Sequence, residues 1–495
     1  MAAVRTLFHC KPPKHVRNIT ITSRVAKEEL YEYTNGHFLI NEEHQYRQRY
    51  VKFDLSQLCD TAAAVGGTKS PIVAIEKMEG GFCKALLMRK ADGSEIVTKL
   101  PSKLAGPPKY STVSEVATLK YVQQHTSIPV PRVLAWECDS SNSVGSEYIL
   151  MEKAPGVQLY LKWGDMDGKS RLALTNHLVK LESQLASVHF PLPGSLYLRD
   201  SCLSWSECHP LPVEINPRPS LADYGHDLTK REISRISSQQ KTGDRPYRRR
   251  NAYEEVGDLE CAMGFISLLE SHHKGLASIS KPILWHTDLH LGNIHVSDED
   301  PTQIVSIIDW QSIYVGSLFL QATWPQFLKP NDDYICGTVQ PQLPNDFDEL
   351  DRAEKEFAIS TRDDALITKT YELRSSLYNN RDVYRSIYLP PVFREIFIRC
   401  GEASNEGTIG LRACLAEIYR SWSTLGLTGQ CPLSFSEEQL QEINQEFQEY
   451  RDWHDLDLGE IQQRNKSALD KYIKEMSKHM SPEDARQMWP FLENI

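Results

Sequence analysis

Between residues 72 and 101 the chain reads IVAIEKMEGGFCKALLMRKADGSEIVTKLP. Short apolar-rich runs are broken there by two turn signals, Gly80-Gly81 and Asp92-Gly93. The second is a strong hairpin signal, so the stretch predicts three strands in an antiparallel meander. Beyond the Pro-rich corner AGPPKY the spacing changes. In STVSEVATLKYVQQH, Val113, Val116, Leu119 and Tyr121 fall near helical intervals behind hydroxyl caps, which predicts a helix over 111–125. SEYILMEKAPG (146–156) is then a short apolar strand closed by the breaker pair Pro155-Gly156, suited to a connector between two lobes. RLALTNHLVKLESQLASVHF (171–190) repeats leucine at helical intervals, as do long stretches after residue 350, so the second unit is mostly helical.

Between these helices a polar, poorly periodic stretch runs from about Cys202 to Arg250 and reads as an insertion or mobile loop. SEEQLQEINQEFQEYRDWHDLDLGE (436–460) is an acidic helix-forming segment with a solvated face. The first 27 residues carry Arg5, Lys11, Lys14, Arg17, Arg24 and Lys27, and no acid occurs before Glu28. That is the composition of a mitochondrial presequence. A disordered basic terminus is the alternative, because Pro12-Pro13 would interrupt an amphipathic helix. The expected organisation is a presequence or basic terminus over 1–30, an N-lobe over 31–152, a C-lobe over 153–435 with the insertion at 202–250, and an acidic helical extension over 436–495.

A chain of 495 residues is too long for one ordinary core. With 40% hydrophobic and 24% charged residues it has the composition of a globular protein. A formal net charge of -11 argues against general nucleic-acid binding, and RPYRRR (245–250) reads as a solvated loop. No apolar run reaches the roughly 20 residues of a membrane span. Eleven cysteines are scattered without CxxC pairs, as free thiols and small core residues would be.

ILWHTDLHLGNIHV (283–296) concentrates polar chemistry in one turn between two apolar strands. Phosphoryl transfer needs a carboxylate near the acceptor hydroxyl and oxygen ligands for Mg²⁺ against the nucleotide phosphates. Asp288 suits the first task, and Asn293, five residues later, suits the second. Asp309, at the end of the strand TQIVSIIDWQ and sixteen residues after Asn293, supplies a carboxylate for the metal. Singly, each also reads as a turn or strand-end residue. Together they can converge across one hairpin. Upstream, Lys99 lies on the third strand of the meander, where a lysine reaching the α/β-phosphates belongs, and Glu115 in the next helix can hold it. A surface salt bridge is the plain alternative for that pair. Gly80 and Gly81 would let backbone approach the phosphates. Glu152, Lys153 and Ala154 of the connector would offer backbone groups to an adenine.

These residues carry a family resemblance. The chain resembles the aminoglycoside phosphotransferase and choline kinase superfamily. Within it, EGGF, AGPP, SEVATL, IPVPRVLAW, YILMEKAPG, HTDLHLGN and IIDWQ together resemble the fungal phosphotransferase-like proteins named for altered inheritance of mitochondria. The resemblance spans roughly residues 30–350. It implies an α+β, protein-kinase-like two-lobe fold, with a small antiparallel-sheet N-lobe and a larger, mostly helical C-lobe. It also implies ATP and Mg²⁺ as cofactors and a small-molecule hydroxyl as acceptor, with Asp288 as base, Asn293 and Asp309 as metal ligands, Lys99 and Glu115 as the ion pair, and Gly80 and Gly81 as the nucleotide loop. His286 and His290 would shape the catalytic loop. The segment from Leu211 to Arg250 is where the family's pattern is not matched, and it bears on acceptor selection. The expected function is an ATP-dependent small-molecule kinase. The alternative is a non-catalytic kinase-like module that binds nucleotide or a partner, and a protein kinase is disfavoured by the missing A-P-E and activation loop. The expected location is mitochondrial, with the cytoplasm as alternative.

Overall fold

The computed structural model describes residues 18–19, 24–36, 38, 42–198, 220–238, 250–331, 333–378 and 381–452. A two-residue strand β1 (Asn18–Ile19) lies along the edge of β2 (Ile72–Glu79), which pairs with β3 (Cys83–Lys90), and β3 pairs with β4 (Glu95–Pro101). With β5 (Val133–Glu137) and β6 (Tyr148–Glu152) they form a six-stranded antiparallel sheet in the order β1-β2-β3-β4-β6-β5. The predicted meander is therefore present, and its second turn is built as its residues dictate. Gly93 takes a φ of 85°, and the Asp92 carboxylate accepts from the Ser94 amide at 2.9 Å.

Alternation along these strands sends the two sets of side chains to different layers. Leu86, Met88, Ile96, Leu100 and Leu150 meet Leu58 of the Leu55–Ala64 helix and Leu30 of the Arg24–Tyr31 helix in one core. On the other face Ile149 and Met151 pack on Val116 of the Tyr110–His125 helix.

In the second lobe β7 (Val157–Gln158), β8 (Pro282–Leu284), β9 (Ile294–Val296), β10 (Ile304–Ile307) and β11 (Val315–Ser317) make two small sheets, β10-β9-β7 and β11-β8. They sit on one apolar core with the Gly168–Ser187 and Arg352–Ser375 helices. A second core joins the Leu221–Ser238, Ala252–His272, Val392–Glu406 and Ile409–Arg420 helices. The protein is thus α+β, with a small antiparallel-sheet lobe and a larger, mostly helical one.

The sequence expectations need correction in several places. The stretch expected to be an insertion or loop over 202–250 contains the helix Leu221–Ser238, with Leu221, Leu228 and Ile236 in the second core. The rest of that stretch, 202–219 and 239–249, lies outside the described residues. The acidic segment after 436 is not only a solvated face. Residues 437–452 are helical, Leu440 and Ile443 are buried against Ala416, and Arg412 pairs with Glu446. Residues 1–17 and 20–23 of the basic terminus lie outside the described residues, but Leu30 is 2% exposed in the N-lobe core, so the folded lobe begins ahead of residue 31. Among the described residues Cys83, Cys261, Cys336, Cys400, Cys414 and Cys431 are free thiols, whereas Cys138 is disulfide-bonded, contrary to the free-thiol expectation. Among the described residues no helix is long and apolar enough to cross a membrane.

Candidate active site

The turn between β8 and β9 is held by its own polar groups. His286 is buried, its Nε2 lies 3.0 Å from the Ile308 carbonyl, and the Asp288 amide donates to its Nδ1 at 3.3 Å. Those two partners require a neutral ring with its proton on Nε2, and burial pushes the pKa of His286 down in the same sense. The ring also meets Trp310 edge-on at 4.8 Å, and Trp310, fully buried, donates from Nε1 to the Ile307 carbonyl at 3.0 Å. His286 therefore ties the turn to the segment that follows β10 and leads to Asp309.

Asn293 closes the turn. Its Nδ2 donates to the Asp288 carbonyl at 2.9 Å, its amide donates to the His290 carbonyl at 3.0 Å, and its carbonyl accepts from the Ile308 amide at 2.9 Å. With Nδ2 fixed on the turn, the amide oxygen is the atom left for a ligand. Gly292 has to be small, because a Cβ there would sit 2.9 Å from the His290 ring, and its carbonyl accepts from Gln158 Nε2 at 2.8 Å. Sequence reasoning did not single out Gln158, and no local signal marks it, since it arrives from β7. The Asp288 carboxylate is 62% exposed and 4.0 Å from His290 Nε2, so it faces solvent where an acceptor could approach.

Lys99 lies on β4 opposite Ala85 of β3 and Ile149 of β6. Its Nζ donates to Glu115 Oε1 at 2.7 Å and to Asp309 Oδ1 at 2.9 Å. One ammonium thus links the N-lobe sheet, the Tyr110–His125 helix and the C-lobe strand end. The Lys99 and Glu115 side chains are only 10% and 6% exposed, which sets them apart from a surface pair. Burial alone would lower the Lys99 pKa, but Asp309 and Glu115 outweigh it and hold the ammonium well above its usual range. Burial raises the Glu115 carboxyl, an effect that Lys99 partly offsets. Burial also opposes ionisation of Asp309, yet Lys99 prevails and keeps that carboxyl below its ordinary value. Asp309 further adopts a left-handed φ of 62°, a conformation that an aspartate tolerates at some cost and that turns its carboxylate off the strand.

Cys83 neighbours this group, and burial pushes its thiol up to about 12, so it stays neutral. Gly80 and Gly81 form the turn just before it, with the Gly80 amide donating to the Cys83 carbonyl at 3.1 Å. Neither glycine takes a left-handed φ, and a Cβ on Gly81 would meet nothing within 4 Å. What they contribute is open space at the turn. On the connector, the Glu152 side chain turns to Arg132, accepting at 3.0 and 2.6 Å, and its amide donates to the Arg132 carbonyl at 2.9 Å. That amide is engaged within the sheet, and Ala154 further along the connector is buried. Lys153 pairs with Glu95 at 2.6 Å.

Among the described residues no group of three or more His, Cys, Asp or Glu side chains could hold a metal ion. Asp309 and Asn293 would offer a partial oxygen set. Such a set suits Mg²⁺, which keeps waters and is completed by substrate phosphates, better than an ion that needs a full protein cage.

A subtelomeric hrmA-associated cluster protein of Aspergillus fumigatus is 26% identical over 439 residues, 76% of this chain and 85% of the relative. Altered inheritance of mitochondria protein 9, mitochondrial, of Candida albicans is 26% identical over 216 residues, 36% of this chain and 35% of the relative, so the match spans about a third of that protein. Among solved structures, the gentamicin-APH(2″)-IIa complex has a TM-score of 0.40 at 14% identity, over 76% of this chain and 100% of that one. Residues 87–320 match the phosphotransferase enzyme family. The matched range contains Lys99, Glu115, Asp288, Asn293 and Asp309.

Proposed function

We propose that the protein is an ATP- and Mg²⁺-dependent kinase that transfers the γ-phosphoryl group to a hydroxyl of a small molecule. The observation that carries the reading is Lys99 bonded at once to Glu115 and Asp309. A buried lysine fixed by a helix glutamate, and aimed at a carboxylate on the opposite lobe, can hold phosphates between the lobes. Asp288, exposed at the turn, would take the acceptor proton as its oxygen attacks phosphorus in line with the leaving oxygen of ADP. Asn293 Nδ2 keeps the Asp288 backbone in place while this happens. Mg²⁺ held by Asp309 and the Asn293 oxygen would supply charge neutralisation on the phosphates.

The carboxylate favours a hydroxyl acceptor by its role as base, and the acceptor itself is to be found by screening. Purified protein is incubated with fractionated metabolites, ATP and Mg²⁺, and ADP release is followed. Acceptor-dependent ADP release that needs Mg²⁺ supports the reading. MgATP binding by calorimetry without any turnover across the screen would instead indicate a non-catalytic nucleotide-binding module. For location we propose the mitochondrion, supported by the basic, acid-free run before Glu28 and by the name of the Candida albicans relative. A reporter fused to residues 1–30 that stays cytosolic would count against it.

A further inference from the structure

The glycine turn lies outside the matched range of 87–320, and it has an anchor of its own. Glu79, the last residue of β2, immediately precedes Gly80. Its side chain is only 3% exposed and is fully engaged. One carboxylate oxygen accepts from the Thr34 amide at 2.7 Å and the Thr34 hydroxyl at 2.9 Å. The other lies 3.0 Å from Lys84 Nζ and 3.3 Å from Lys77 Nζ. The Glu79 carbonyl is held as well, by Asn35 Nδ2 at 3.2 Å. Both the side chain and the backbone of this residue are thus tied to residues 34 and 35.

The two lysines extend the anchor. Lys84 faces Glu79 directly across the β2–β3 pairing, at the base of the turn. Its ammonium also donates to the Glu32 carbonyl at 2.7 Å, and Lys77 donates to the Glu29 and Glu32 carbonyls at 2.5 and 3.1 Å. These are carbonyls at the end of the Arg24–Tyr31 helix, which lack helical partners and favour cations. Buried charges are tolerated only when paired and hydrogen-bonded, and here every one is. By contrast the tip of the turn is open, since Phe82 is 50% exposed and Gly81 has no near neighbour. Apart from the Phe82 carbonyl, which accepts from the Ser102 amide at 2.9 Å and the Ser102 hydroxyl at 2.7 Å, the position of the tip is set at its stem.

We propose that Glu79 is a positioning residue for nucleotide phosphates, and that residues 24–36 form a brace which fixes the glycine turn over them. The proposal rests on the nucleotide reading above. A turn that contacts phosphates and not the base, when its stem is released, loses phosphate contacts selectively. The test is calorimetric titration of the full chain and its Glu79→Gln and Thr34→Val variants with MgATP and, separately, with adenosine. Circular dichroism and thermal melting report folding. Glu79→Gln should weaken MgATP binding by roughly 5- to 20-fold, the scale of losing charge-assisted hydrogen bonds. Adenosine binding should stay within about 2-fold. Thr34→Val, which keeps Glu79 and both lysines and so guards against misfolding of the first variant, should show a smaller shift in the same direction, and Thr34→Ser should restore it. Equal affinity of parent and variants for MgATP would overturn the brace, as would a parallel loss of both ligands, which marks a merely structural role. A parent that binds neither ligand would remove the nucleotide reading itself, and the brace with it.

Discussion

Lys99 and Asp309 are 210 residues apart in the chain, and their side chains meet at 2.9 Å. That contact joins the two lobes at the point where both carry their least replaceable side chains. It gives Lys99→Met two separable consequences. The first is loss of phosphate contact, which should weaken MgATP binding. The second is a buried Glu115 without its cation, a change of about 3 kcal/mol in typical cases. The sign with pH follows from the Glu115 carboxyl, which burial already raises above its unfolded value. Without Lys99 it rises further, so stability is kept below the unfolded pKa and lost as pH rises through the folded one. Urea melts of parent and variant should show a stability gap that widens from pH 5 to pH 8. A gap that does not change with pH would show that Glu115 is not the group left uncompensated.

A buried carboxyl far from this site predicts a second pH effect. Glu182 lies in the C-lobe core beside Tyr371, 3% exposed, and burial pushes its pKa up to about 8. A raised folded pKa means that the group stabilises the fold fully below its unfolded value near 4.5 and that this contribution is lost as pH rises to 8. Glu182→Gln cannot ionise, so its stability should lack that decline. At about 1.4 kcal/mol per pKa unit, the variant should exceed the parent by a few kcal/mol at pH 8.5 and by little at pH 5. Denaturant melts across that range decide it, and parallel pH profiles would show that Glu182 does not titrate in the core.

Gly156 should be intolerant of any side chain. It takes a φ of 70°, and a Cβ would fall 2.1 Å from the Val296 carbonyl oxygen, at the edge of the β7–β9 pairing next to the candidate turn. Neither the φ nor the backbone contact can be relieved by a rotamer change. Gly156→Ala should cost about 2–4 kcal/mol, the range for a strained conformation combined with a backbone clash. Thermal unfolding within a few degrees of the parent would mean that the turn moves more freely than its hydrogen bonds suggest.

What could be read from the sequence is largely what short spacings determine. The meander follows from two turn signals, and Asp288, Asn293 and Asp309 fall on a hairpin whose strands are three and four residues long. Contacts between distant segments were less legible. Lys99 and Glu115 could be paired from spacing, but the bond from Lys99 to Asp309 depends on how the lobes close. The helix Leu221–Ser238 was read as loop because its core residues Leu221, Leu228 and Ile236 are spaced seven and eight apart among polar neighbours. Glu79 gave no signal, since its burial depends on Thr34, 45 residues upstream. The bond from the Glu152 amide to the Arg132 carbonyl likewise depends on a segment 20 residues away in the chain.

The two aspartates of the proposed mechanism should fail differently. Asp288 is exposed, and among the described residues His290 lies 4.0 Å from its carboxylate, so Asp288→Asn keeps shape and removes the proton acceptor. MgATP should bind nearly as before, while transfer falls by roughly 100- to 10,000-fold, the usual range for loss of a general base. Asp309 is different, because its carboxylate neutralises Lys99 and is the only full negative charge in the proposed metal set. Asp309→Asn leaves Lys99 with Glu115 alone and offers Mg²⁺ a neutral oxygen in place of a charged one. Nucleotide affinity should fall, and what remains should depend little on Mg²⁺. Calorimetric titrations with ATP, with and without Mg²⁺, separate the two variants before any acceptor is known, and ADP release measures the first once one is found. If both variants bind MgATP like the parent with the same Mg²⁺ dependence, Asp309 does not hold the metal. If Asp288→Asn also turns over normally, the carboxylate at this turn is not the base, and the hairpin serves binding alone.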